Sequence, residues 1–118
     1  MSELANTSCE ACRVGAPLLS ANELTRLLSD IPDWQVKDVD GIQQLQRVFI
    51  FPNFIQAMAF ANKVGLLAET QGHHPALLVE WGRVTVDWWS HKIKGLHKND
   101  VVMAAKTDLA FISDVTDG

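Results

Sequence analysis

The chain has 118 residues, enough for one domain, and 47% of them are hydrophobic against 20% charged, a balance that excludes a disordered polypeptide. Ten Lys and Arg against 14 Asp and Glu leave a net charge of −4, without the basic footprint that nucleic-acid binding needs. No apolar run approaches the roughly 18 residues of a membrane span, and Met1 to Ala16 lacks the basic start and apolar core of a signal peptide, so a cytoplasmic protein is expected.

Residues 1–17 are expected to form a flexible tail. Its Cys9 and Cys12 make one Cys-x-x-Cys, but no second pair follows at zinc spacing, and the stretch is polar where a redox pair would follow a strand and open a helix. Two reduced thiols are the expectation. The folded domain should span 18–113, with 114–118 frayed. Ser20-Ala21-Asn22-Glu23 reads as a capping box, with Leu19 and Leu24 placed as its hydrophobic staple. Leu24, Leu27, Leu28 and Ile31 continue at helical spacing until Pro32.

Trp34–Val39 and Ile42–Phe51 read as strands around an Asp40-Gly41 hairpin turn. Asn53 is placed to cap a long helix with Phe54, Met58, Ala61, Val64 and Ala68 on one face, and Gly72 to stop it in a left-handed conformation. Ala76–Trp81 and Val84–His91 read as a second strand pair across Gly82-Arg83, Lys92–Lys98 as a loop, and Val102, Ala105, Leu109 and Ile112 as the face of a last helix. The order α-β-β-α-β-β-α implies an α+β fold, a four-stranded antiparallel sheet with three helices on one face.

All four histidines, His73, His74, His91 and His97, fall in the C-terminal half. Pro75 holds His74 extended, so His73 and His74 should point in opposite directions, a poor arrangement for one metal ion. Two imidazoles can instead approach a flat ligand from different sides, and a group titrating near neutral pH suits general acid–base chemistry. Glu69, four residues before His73, is close enough to orient an imidazole. The plainer alternative makes these histidines surface loop residues and Glu69 a solvated acid. His91 falls on the polar side of a strand in which Val84, Val86 and Trp88 alternate with Thr85, Asp87 and Trp89; the two tryptophans must face opposite ways.

The run Glu69-Thr70-Gln71-Gly72-His73-His74-Pro75, followed by Trp81, His91, Gly95-Leu96 and Asp100, resembles the signature of the pterin-4a-carbinolamine dehydratases. The resemblance covers roughly residues 20–112 and leaves the Cys-x-x-Cys unexplained. It implies dehydration of 4a-hydroxytetrahydropterin to quinonoid dihydropterin, which recycles the cofactor of aromatic amino acid hydroxylases. It assigns His73, His74 and His91 as catalytic, and Gly72, Trp89, Ser90 and Lys92 as neighbours of the pterin. Glu69 and Asp100 become orienting or structural acids. It also implies a homo-oligomer, dimer or tetramer, with an aromatic amino acid hydroxylase as a candidate partner, and no metal or other cofactor.

Two positions depart from the pattern. His97 stands where Ser or Thr often caps the last helix, and is expected to be a poorer cap. Trp89 stands where smaller polar residues are common. Three other functions compete. Some relatives act as dimerisation cofactors of transcription factors, which makes a regulatory protein-binding role the alternative. A metal hydrolase is disfavoured by the His73-His74 geometry. The lysines of His91–Lys98 suggest an anion site, for which a solvated loop is the better reading.

Overall fold

The structure, a computed structural model, describes residues 18–117, with side chains through Ile112. Cys9, Cys12 and the tail expected over 1–17 lie outside the described residues. Seven elements follow: α1 (Ala21–Leu28), β1 (Gln35–Val39), β2 (Ile42–Ile50), α2 (Phe54–Gln71), β3 (Ala76–Glu80), β4 (Arg83–Trp88) and α3 (Lys98–Asp117). The strands form one antiparallel sheet in the order β1-β2-β4-β3. Both the element order and the α+β architecture are those expected.

Local chemistry sets the boundaries. The Ser20 hydroxyl accepts from the Glu23 N–H while the Glu23 carboxylate accepts from the Ser20 N–H, so the capping box forms as anticipated. Asp40 and Gly41 both take positive φ, 54° and 82°, the combination that lets a two-residue turn follow the twist of its strands. The Asn53 side chain caps α2 by accepting from the Gln56 N–H, and Gly72 ends that helix at φ 65°.

Leu45 and Phe49 of β2 and Val84, Val86 and Trp88 of β4 point to the covered face of the sheet. There they meet α2 and α3, while α1 packs on α3. Phe49, Phe51, Phe60 and Phe111 form one aromatic cluster, with centroids 4.8–5.7 Å apart in tilted and edge-on pairs. The buried rings of Phe49, Phe51 and Phe60 each contribute about 1.5–3 kcal/mol through lost water contact, and half-buried Phe111 less.

Four details differ from expectation. The buried face of α2 is Ala57, Phe60, Ala61, Val64 and Ala68, leaving Phe54 and Met58 exposed. Phe60 must reach the aromatic cluster, and that turns the helix. On α3, Val102 and Ala105 are buried, but Leu109 and Ile112 are exposed because Asp108 and Phe111 take the inward positions. The β3–β4 turn is Trp81-Gly82 rather than Gly82-Arg83, since Glu80 pairs with Arg83. Finally, β4 ends at Trp88. Beyond it Ser90 and Gly95 pair across a turn, so His91 opens that turn instead of closing a strand.

Candidate active site

The end of α2, the segment beyond β4 and the start of α3 meet around two layers of imidazoles. Gly72 creates the geometry of the first. Its left-handed φ turns the chain so that the Gly72 and His73 N–H groups close the helix on Ala68 and Glu69 carbonyls, and residue 73 enters the core. His73 and His74 then diverge, as the extended backbone requires: His73 is 5% exposed and His74 lies open to solvent.

Asp100 is the hub of the inner layer. Fully buried, it accepts from His73 Nε2–H through Oδ1 at 2.7 Å, and through Oδ2 from the Ser90 hydroxyl at 2.7 Å and the His97 backbone N–H at 2.9 Å. Three donors satisfy a carboxylate that would otherwise be costly to bury. The His73 ring also lies parallel to Trp88, 3° between planes and 5.7 Å between centroids. Trp88 is held in turn by Nε1–H donation to the Thr107 hydroxyl at 3.0 Å. This support for His73 is not evident from motif spacing. The inward register of Trp88 in β4 is the only signal for it.

The outer layer is His74, His91 and Trp89. The Glu69 carboxylate accepts from His74 Nε2–H at 2.7 Å. The partner of Glu69 is thus His74, not His73, because the turn at Gly72 sends the nearer imidazole inward to Asp100. His91 donates through Nε2–H to the His74 carbonyl at 3.0 Å, and its ring stacks on Trp89 at 4.3 Å with 22° between planes. A carboxylate or carbonyl partner can only accept, so in the neutral form of either imidazole the proton sits on Nε2 and Nδ1 carries the lone pair. Successive tryptophans therefore face opposite sides, Trp88 beneath His73 and Trp89 against His91. On the same outer side, burial pushes the Asp87 carboxyl above the usual range, opposed by a hydrogen bond from Gln46 Nε2–H and the Lys37 charge.

The remaining expected site residues divide by depth. Ser90 is buried under the histidines, whereas Gly72 and Lys92 lie at the surface, as do Lys94 in the turn before α3 and Lys98 at the start of that helix. Trp81 stands exposed at the tip of the β3–β4 turn. Among the described residues, no three His, Cys, Asp or Glu side chains gather as a metal would require, and no helix is long and apolar enough to cross a membrane.

The family described as pterin 4 alpha carbinolamine dehydratase matches residues 17–110. A relative from Syntrophotalea carbinolica is 58% identical over 108 residues, covering 92% of this chain and 96% of its own. One from Marinobacter nauticus is 59% identical over 108 residues, covering 92% and 97%. Both are assigned to the pterin-4-alpha-carbinolamine dehydratases. A crystal structure of a transcriptional coactivator/pterin dehydratase from Brucella melitensis superposes with a TM-score of 0.71 at 31% identity, covering 80% of this chain and 98% of that one. The length of the match and the identity of the relatives agree with the histidine layers: the chain belongs to the pterin 4 alpha carbinolamine dehydratase family.

Proposed function

We propose that this protein dehydrates 4a-hydroxytetrahydropterin to quinonoid dihydropterin and water by histidine general acid–base catalysis, recycling the cofactor of an aromatic amino acid hydroxylase. The observation that carries this reading is the pair of solvent-facing imidazoles, His74 and His91, joined through the His74 carbonyl and each with Nε2 engaged. Loss of water needs a proton delivered to the C4a hydroxyl and one removed from a ring N–H. Two Nδ1 atoms on neighbouring imidazoles suit that exchange. Behind them His73, held on Asp100 and Trp88, gives the pterin edge a fixed wall. Glu69 orients His74, and Ser90 keeps Asp100 in place. Lys92 and Gly72 border the open side.

The direct test adds the protein to a hydroxylase reaction and follows the carbinolamine absorbance, with uncatalysed dehydration subtracted. Faster decay that survives a chelator is the expected result. Decay at the uncatalysed rate refutes the assignment, and activity lost to chelator and restored by zinc refutes the metal-free mechanism.

A second reading, regulatory binding to another protein, takes its support from the likeness to the Brucella transcriptional coactivator/pterin dehydratase. It also draws on an apolar groove in this chain, lined by Ala61, Gly65, Leu66 and Leu77 beside Glu69. A complete histidine set is needed only by the enzyme, which places dehydration first.

A further inference from the structure

We propose that Trp89 is a positioning residue for the dehydration, acting through the His91 imidazole; this rests on the dehydratase reading above. His91 needs outside support because regular pairing has ended before it. Its ring is exposed and it opens a turn closed by the Ser90–Gly95 bridge. Among the described residues its side chain makes one hydrogen bond, Nε2–H to the His74 carbonyl, which fixes a point on the ring but leaves its plane free to turn. Rotation would swing Nδ1 away from a substrate on the His74 side.

The Trp89 indole removes that freedom. It is half-buried, packs against the hydrophobic core just beyond the end of β4, and lies nearly flat against His91. One hydrogen bond and one ring face together determine the imidazole orientation. Such restraint is worth rate, because a reacting group displaced by about 1 Å can lose about 10²-fold. Trp89 thus serves the reaction through His91 without itself exchanging a proton.

The test is a double-mutant cycle in the carbinolamine assay, with Trp89→Leu, His91→Ala and the double variant, and Trp89→Phe as the conservative replacement. Trp89→Leu is expected to lower kcat about tenfold with KM nearly unchanged, and Trp89→Phe to restore most of it. In the His91→Ala background, Trp89→Leu should cost nothing further. Trp89→Ser gives the same comparison with a polar residue if the leucine variant folds poorly. An NMR arm reads the contact itself: the His91 ring protons, displaced by the indole ring current, should shift in Trp89→Leu and stay in Trp89→Phe. An undiminished kcat in Trp89→Leu, or an equal loss with and without His91, overturns the inference while leaving the dehydratase reading intact. A wild-type protein that does not accelerate dehydration overturns both.

Discussion

His97 Nδ1 accepts a hydrogen bond from the Asn99 backbone N–H at 3.1 Å, so an imidazole caps α3 where a hydroxyl usually does. Asp100 completes the reciprocal pair by accepting from the His97 N–H. The residue expected to be a poorer cap is therefore a working one.

His97→Ser should consequently change stability by less than about 0.5 kcal/mol at pH 7, whereas His97→Ala should lose about 1 kcal/mol. Urea denaturation of wild type and both variants at pH 7 measures these differences, and an alanine variant as stable as wild type would show that the imidazole does not cap in solution.

Turnover should separate His97 from His91, two histidines in the same short stretch. His91 reaches the outer layer and bonds the His74 carbonyl, while His97 is buried in the helix cap. His91→Ala is expected to reduce kcat by roughly 10²-fold or more, the usual scale for a lost general acid or base. His97→Ser should leave kcat nearly unchanged. Steady-state rates corrected for uncatalysed dehydration decide it, and the reverse ranking would move the active site to the α3 cap.

What was legible in the sequence divides along physical lines. Signals carried by one short segment read correctly: the Ser20 box, the Asp40-Gly41 turn, the Asn53 cap and the Gly72 stop each depend on a few adjacent residues. Helix faces read less well. Phe54 and Met58 fit the period of α2, but the distant rings of Phe49 and Phe111 decide which face turns inward. At the site, the opposed directions of His73 and His74 followed from Pro75. Which acid each imidazole would find did not, because Asp100 arrives from another element and Gly72 changes the reach of Glu69.

The outer face of the sheet predicts self-association. Val48, Ile50 and Leu78 are exposed on it, and β1 and β3 are its edge strands. Light scattering at micromolar concentration should give a dimer or tetramer mass. Val48→Lys with Leu78→Lys should lower that mass if the face is used, and lysine or proline substitutions in β1 or β3 should do so if an edge is used. A monomeric wild type would exclude both.

Asp108 supplies a prediction about stability far from the histidines. It is nearly buried on α3 and accepts through Oδ1 from Trp34 Nε1–H at 2.9 Å and from Arg47 at 2.6 Å. The Arg47 guanidinium also lies over the Phe49 ring at 4.3 Å, a cation–π contact beside the ion pair. Burial pushes the Asp108 carboxyl above the usual range, and the Trp34 and Arg47 contacts pull in the opposite direction. The ionised form is thus the costly one in the fold, and its cost grows as pH rises through the folded titration. Arg47→Met keeps the packing but leaves a buried carboxylate without its cation, which should destabilise by about 2–3 kcal/mol at pH 7. Acidification protonates that carboxylate and removes the unpaired charge, so the deficit should shrink toward pH 4. Denaturant titrations of both proteins at the two pH values measure it. An equal deficit at both would mean that Arg47 acts through packing and not through Asp108.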